Sequence, residues 1–592
     1  MGSLFTSFNT GVSGIQVAQS GLNVAAHNIA NADTKGYVRQ QVIVADHTYI
    51  NTYNSFKGID QTGIGTHVSL VLQRRNEFLD VKFREESGRL SFYEVRAETV
   101  SEMEELYGEL QGQSFTTDME DIWAAFQELS KTPDDITSRE LLISEADAFL
   151  GKCQTLYTQI NEYQVNLNSR IKEIVEKVNK MSEELHNLNT DIVYYQATGQ
   201  RPNDLYDARN EILDELSKYV PIFTKEFSNG AIMVNVEGIP LVSDDRYYTM
   251  TTEKINPGSD LLKPVWADNG GGDVFREGLS FSSETKTDIG MLKGILVTRG
   301  SFTGKYTDVP VKPKEEDFTD ENGVLDKVGY RRAANEFEKQ VQYYNEMVRP
   351  SVITTLQAQL DTLVHGMVTT INDALCPNKE IEIVNADGTT EKIKVLDTEH
   401  APLGCNGEMG HELFRRGGCE RYTDATVTLT DGTTMNVKRY NEEDPDDVFS
   451  LYTLSQVTVN SDIIVDSSYL PLIENTESGF AGGYASSHIS GLIDKWDDAV
   501  LVLDPESNTA YSFKDYYIGM IGTVGTSGKV ANNFIDSETT LVNSVDGQRQ
   551  SLTSVSTDEE LVDLVRFQHM YSACSRYITV IDEMLETLIM SL

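Results

Sequence analysis

The sequence predicts a multidomain, mainly α protein: a terminal coiled coil and a long antiparallel helix bundle, with inserted mainly-β domains. Three observations carry that class. The two ends hold matching apolar heptads, the middle holds helical periodicity from Leu142 to Tyr195, and two intervening stretches are rich in strand-like runs and turn signals. At 592 residues the chain is long enough for roughly three to five domains.

At the start, Leu4, Phe8, Gly11, Ile15, Ala18, Leu22, Ala25 and Ile29 recur at spacings of four and three. Such a repeat keeps one seam facing a partner helix. Residues 1–32 contain no Asp, Glu, Lys or Arg, and Gly11, Gly14 and Gly21 interrupt the predicted helix. Each glycine costs about 1 kcal/mol relative to alanine. The helix is therefore expected to order only against the C-terminal helix and neighbouring subunits. At the end, Leu564, Phe567, Tyr571, Cys574, Ile578, Ile581, Leu585, Leu588 and Leu592 repeat the same spacing. Neither end buries its stripe alone, so each is the simplest partner for the other.

After Gly36, QQVIVADHTYI and GIGTHVSLVLQRR alternate as strands. Helical spacing resumes at Leu79 and runs to Tyr107, and Asp118 to Leu129 reads as a short helix. The periodic run from Leu142 has one stutter, near Leu167 to Ile171. At 1.5 Å per residue it makes a rod on the order of 80 Å, for which 79–107, 335–375 and 510–552 are the available partners. Residues 301–334, with Pro310 and Pro313, read as a loop or linker. The expected domains are a terminal coiled coil (1–35 and 557–592), a helical rod (36–223, 286–376 and 506–556), a small β domain (224–285, with AIMVNV and the loop Asn269 to Gly272) and an inserted mainly-β domain (377–505, with turn pairs Asp387-Gly388 and Asp431-Gly432).

The formal charge of -43 repels phosphate backbones and anionic lipid, so neither nucleic acid nor a membrane surface is an expected partner. No stretch has the roughly 18 to 20 apolar residues that span a bilayer. The start lacks the basic region of a secretory signal, its first Lys being Lys35, so export without a cleaved signal peptide is expected. Of five cysteines, Cys153 and Cys574 fall on seams, Cys376 stands alone, and Cys405 and Cys419 are close enough in sequence to pair; no disulfide framework is implied.

No catalytic constellation is complete. Gly522 to Val530 (GTVGTSGKV) has one residue too many for a phosphate loop and Val530 where a hydroxyl is required, so it reads as helix or loop. His411-Glu412 opens a zincin-like pair, but the second His position is Arg415. His400, Cys405, His411 and Cys419 cluster in sequence without a standard zinc spacing. No catalytic residue, metal or cofactor is therefore expected, and the chain reads as a non-enzyme.

Both ends also carry specific motifs. NIANADTKGYVRQQ (Asn28 to Gln41) resembles the ANxxTxGYxRQ segment of bacterial flagellar rod, hook and hook-associated proteins, matching at Ala30, Asn31, Thr34, Gly36, Tyr37, Arg39 and Gln40. Lys35 stands where that family commonly has proline. Gln548 to Leu588, through STDEEL and DEMLETL, resembles the end of the hook-associated protein 1 family. NDLYDARNEILDELSKYV, GMLKGILVTRG and SFKDYYIGMIGTVG resemble its interior segments. The inserted β regions match nothing in it.

The resemblance implies an extracellular structural subunit at the flagellar hook, polymerising at the hook tip as the first hook–filament junction. Implied partners are other copies of itself in an axial polymer, hook protein, the second junction protein and flagellin, with a flagellar export chaperone and the type III export apparatus before assembly. The expected assembly residues are Leu4, Phe8, Ile15, Leu22, Ile29, Asn31, Thr34, Gly36, Tyr37, Arg39 and Gln40, with Leu564, Phe567, Tyr571, Ile578, Ile581, Leu585 and Leu588. Within the structural class, hook protein is the runner-up. An enzyme or adhesin carried on a flagellar scaffold is the contrasting reading.

Overall fold

A computed structural model describes residues 2–591 except 55–57, 109–114, 269, 276–280, 320–323, 386–387, 476–482 and 508, so Asn269, Asp387 and Leu592 lie outside the described residues. The fold is mostly helical, with β-rich inserts. Its helices are α1 (Gly2–Ala30), α2 (Glu77–Tyr107), α3 (Phe115–Lys131), α4 (Ile136–Ala197), α5 (Asn203–Tyr219), α6 (Met291–Arg299), α7 (Lys327–Tyr343), α8 (Val352–Leu375), α9 (Ser461–Val465), α10 (Ser486–Trp496), α11 (Phe513–Thr553) and α12 (Thr557–Ser591).

The apolar periodicity sets the rod. At 62 residues, α4 is about 93 Å long. It starts at Asp135, whose carboxylate accepts from Thr137 N. Helices α3, α5 and α8 pack along it, while α2 lies along α11. Phe126, Phe149, Ile160, Val178, Leu360, Met367, Phe513 and Tyr517 belong to the one large core that results. The GTVGTSGKV run lies inside α11, so its glycines form no phosphate loop. Among the described residues, no helix is long and apolar enough to cross a membrane.

The expected 335–375 helix is broken. Helix α7 starts earlier, at Lys327, because Asp326 caps it by accepting from Val328 N and Gly329 N. It passes through a π turn (344–348) and stops before Pro350, which lacks an N–H donor. Ser351 then caps α8. No residue of α7 is buried, so only the second half of the predicted stretch packs in the rod.

Polar residues within the helices stitch the β segments on. Strands β1 (Gln40–Asp46), β2 (Tyr49–Asn54), β3 (Gly58–Gly63) and β4 (Thr66–Gln73) form two ladders, β1 with β4 and β2 with β3. The first of these lies against α1. Strands β5 (Ile222–Glu226), β6 (Ile232–Val236) and β7 (Ile239–Val242) make a three-stranded sheet, and β8 (Met250–Lys254) pairs with β9 (Leu262–Trp266). Asn189 of α4 accepts from Ile232 N (3.1 Å) and donates to Ile232 O (2.8 Å). Asn179 holds Met250 in the same two-bond manner, both at 2.8 Å. Asn168 accepts from Leu262 N (2.9 Å) and donates to Asp260 O (2.8 Å). A carboxamide carries one acceptor and one donor side by side, so it completes an edge strand's ladder as another strand would.

The 377–505 insert is divided. Strands β10 (Asn378–Val384) and β11 (Thr390–Leu396) precede the short β12 (Leu403–Gly404) and β13 (Phe414–Arg416). Then follow β14 (Tyr422–Thr428), β15 (Thr434–Tyr440), β16 (Val457–Val459) and β17 (Pro471–Ile473). The sheet β10–β11–β15–β14 has its own small core of Ile383, Ile393, Val395, Val427 and Val437. The rest of the insert does not stand apart. Leu413, Phe414, Leu472, Ile489 and Trp496 belong to the rod's core, and Asn372 of α8 accepts from Phe414 N (3.1 Å) and donates to Phe414 O (2.7 Å). A single detachable β module is therefore not what the chain forms; only the four-stranded sheet is separate. A charge placed in either core costs about 4 kcal/mol or more. Ile393→Asp is expected to melt the sheet while leaving the main calorimetric transition in place, whereas Leu472→Asp lowers that main transition. Equal effects of the two substitutions would contradict this division.

Candidate assembly site: the terminal helix pair and its clasp

Helices α1 and α12 lie side by side along most of their lengths. The residues fully buried on α1 include Gly11, Gly14, Ala18, Gly21, Ala25 and Asn28, a 3-4-3-4-3 stripe. This corrects the predicted seam at every second position: Gly14, Gly21 and Asn28 replace Ile15, Leu22 and Ile29, which are half-buried on its flank, as is Phe8. The Leu4 side chain lies outside the described residues.

The reason is steric. A Cβ added at Gly11 would sit 2.7 Å from Ile578, at Gly14 2.6 Å from the Cys574 sulfur, and at Gly21 2.5 Å from the Phe567 ring. The glycines that weaken the isolated helix are the surface that lets α12 approach. Within one chain α1 thus already has α12 as its packing partner. On α12, Ile581 is 3% exposed; Leu564, Phe567, Ile578, Leu585 and Leu588 are half-buried, and Tyr571 is exposed.

At the base of the pair the motif folds into a clasp. Asn31 donates from its side chain to His27 O (3.0 Å), and Thr34 Oγ1 donates to Asn31 Oδ1 (3.3 Å), which closes the turn after α1. Gly36 takes φ 81°, the left-handed region that suits glycine. The chain then reverses and runs back past Asn28, which is fully buried. Asn28 Oδ1 accepts from the Tyr37 hydroxyl (2.7 Å) and Gln40 N (3.0 Å). Its Nδ2 donates to Gln40 O (2.9 Å) and Glu560 Oε2 (3.0 Å). All four hydrogen-bonding positions of the amide are filled.

Glu560, 2% exposed, is the other hub. It sits in the first turn of α12, where the helix dipole favours a carboxylate. Arg39 Nε donates to it at 2.6 Å, and the same guanidinium reaches Glu559 at 2.8 Å. Burial pulls the Arg39 pKa down, but Glu560 and Glu559 more than restore it, so the guanidinium stays charged. Burial also raises the Tyr37 hydroxyl, which keeps it protonated as the donor.

The clasp is tied to the rod by backbone bonds. Arg39 N donates to Thr553 O of α11 (2.9 Å), and Val38 N to Asp207 Oδ2 of α5 (3.3 Å). Lys35, where the family commonly has proline, pairs with Glu211 of α5 at 2.9 Å. Below, Arg549 of α11 joins Asp214 at 2.8 Å while lying over the Phe83 ring. Thus Asn31, Thr34, Gly36, Tyr37, Arg39 and the Gln40 backbone meet in one place. The sequence reading missed Asn28, Glu560, Asp207 and Arg549. Asn28 is one of five carboxamides in α1, with Asn9, Gln16, Gln19 and Asn23, so residue type alone gave no signal for it.

The other candidate cluster does not assemble. His400 stays with Asp397 (2.7 Å) and His411 faces Asp462 (3.4 Å). All five cysteines are free thiols, Cys405 and Cys419 included.

Comparison with known proteins agrees with this geometry. Residues 8–37 match the flagella basal body rod protein family, 551–592 the C-terminal family of flagellar basal body rod FlgEFG proteins, and 100–376 the helical domain of flagellar hook-associated protein FlgK. Flagellar hook-associated protein 1 of Bacillus subtilis is 25% identical over 100% of this chain and 98% of its own length. That of Escherichia coli is 22% identical over 98% of each. The solved structure of the flagellar hook junction protein FlgK from Burkholderia pseudomallei has the same fold, with a TM-score of 0.50 at 11% identity over 81% of this chain and all of that one. The chain is thus an axial protein of the bacterial flagellum, a structural protein rather than an enzyme. Within that class its resemblance, along its whole length, is to the flagellar hook-associated protein 1, or FlgK, family.

Asp207 makes the clasp's attachment pH-dependent. Burial pushes its pKa up to about 7, against the opposing pull of Val38 N–H and Arg75. The folded state therefore binds the extra proton, and its stability is full below about pH 4 and is lost as pH rises through 7. Asp207→Asn keeps an acceptor for Val38 and removes the charge. Urea denaturation is expected to find the variant more stable at pH 8 by on the order of 2 kcal/mol, and little changed at pH 4. Equal stability at pH 8 would contradict this reading.

Proposed function

We propose that the chain polymerises at the flagellar hook tip and forms the first hook–filament junction zone, to which the filament attaches. The observation that carries this is the terminal pair, closed at its base by the Asn28–Glu560–Arg39 clasp and carrying exposed apolar side chains among the polar ones on its outer faces. Val562 and Val580 of α12 are 69% and 52% exposed, and Phe5 of α1 is 57% exposed. Exposed apolar surface of this kind marks an interaction site. Half-buried Phe8, Ile15, Leu22 and Ile29, with Leu564, Leu585 and Leu588 and exposed Tyr571, border it and complete the proposed assembly surface.

The proposed neighbours are other copies of this chain, hook protein below, and the second junction protein and flagellin above. An export chaperone and the type III export apparatus handle the chain beforehand. The named relatives support this reading over that of hook protein, because residues 100–376 match the hook-associated helical domain. With it we propose a terminal coiled coil at 1–35 and 557–592 and a helical rod between, the 377–505 insert being no single domain because only its four-stranded sheet has a separate core.

Ile581→Asp tests the reading. A carboxylate on the seam has no partner there and separates α12 from α1. Ile581 lies outside the rod's core, so the main melting transition is expected to stay within about 2 °C of wild type. Cells carrying the variant are expected to export it, yet to shed flagellin into the medium and bear hooks without filaments. Normal filaments on such cells would sink the proposal.

A further inference from the structure

A cavity of about 270 Å³ lies between β8–β9, α6 and the π turn before α8. Its walls are apolar, with Pro264, Phe275, Leu296 and Met347 among them, yet Lys293 and Arg299 also line it. Lys293 is 96% buried, being 4% exposed, and Arg299 is 1% exposed. Among the described residues Lys293 Nζ has neither a hydrogen bond nor a salt bridge; it lies 6.0 Å from the Phe275 ring centroid, and Glu237 and Asp288 act on it only from a distance. Arg299 donates to Asn168 Oδ1 (2.7 Å) and Gly300 O (3.1 Å), both neutral acceptors. Asp273, the one acid of the lining, is taken by Lys263 at 2.6 Å.

The lining therefore carries two cations without a carboxylate in hydrogen-bonding contact, Lys293 being offset only by the more distant Glu237 and Asp288, inside a chain of net charge -43. Buried charges are normally paired, because desolvating one alone costs several kcal/mol. Burial accordingly lowers the pKa of both groups, that of Arg299 to about 10. An anion in the cavity would remove that penalty. Apolar walls disfavour a fully hydrated inorganic anion and reward a hydrocarbon body.

We propose that this cavity binds a small organic carboxylate, its charged end at Lys293 and its apolar body against Phe275, Leu296 and Met347. Nothing in the axial role requires such a site, so it stands or falls apart from the proposed function.

Titration calorimetry on the full-length chain tests it, with 3-phenylpropionate and hexanoate as probes and 3-phenylpropanol and inorganic phosphate as controls. Both carboxylates are expected to bind one per chain and to raise the melting temperature, whereas the alcohol and phosphate bind at least about tenfold more weakly. Lys293→Arg should retain binding, and Lys293→Met should lose it. Removing an unpaired buried cation should leave the ligand-free Lys293→Met chain melting no lower than wild type. The proposal is overturned by failure of both carboxylates to bind, by phosphate binding as tightly, by unchanged affinity in Lys293→Met, or by a clear drop in that variant's melting point.

Discussion

The buried contact between Asn28 and Glu560 is the constraint on which the rest of the architecture depends. These residues are 532 positions apart and meet at 3.0 Å, both almost wholly excluded from water. A carboxylate there is tolerable only because Arg39 and Asn28 fill its acceptor sites, and removing a partner from such a pair costs about 3 to 5 kcal/mol. The contact fixes where α1 ends and α12 begins. Everything between must leave and return at one point, so the rod and its inserts are necessarily one long excursion from the clasp.

From that point the fold is built outward by two devices. Small residues on α1 allow helix axes to approach, and helix-borne asparagines complete the edges of β strands. Both are cheap in chain length and demanding in geometry. A glycine stripe is useful only when the opposing side chains are large, as Phe567 and Ile578 are. An asparagine bridge requires a strand edge at one depth along the helix, which is how Asn168, Asn179 and Asn189 set successive attachment points on α4. The four-stranded sheet of β10, β11, β15 and β14 has its own core, so it is the part free to differ without disturbing the axis.

Much of this was legible in the sequence. The helical class, the terminal pairing, the long rod and the β-rich inserts follow from apolar spacing, because burial dominates the energetics of long helices. The motif residues from Asn31 to Gln40 do gather at one place. What periodicity misread was the α1 seam, since an apolar scale favours Ile15 and Leu22 over Gly14 and Gly21 and does not register close approach. It also passed over Asn28, Asn168 and Asn189, whose burial is decided by partners distant in sequence. The stop at Pro350 was visible, but the periodicity on either side masked it. Asp207 stood within a quoted motif, yet its raised pKa comes from burial in the folded chain, which no local pattern encodes.

The central claim is that the terminal helices pair within a single chain through the glycine stripe. A Cβ at position 14 would lie 3.6 Å from the Cys574 Cβ, within the spacing a disulfide requires. Gly14→Cys in dilute, monomeric protein under mild oxidation is therefore expected to form an intramolecular link between residues 14 and 574, mapped by mass spectrometry and abolished in denaturant. Two free thiols at those positions in the native monomer, or a link found only between chains, would contradict the account.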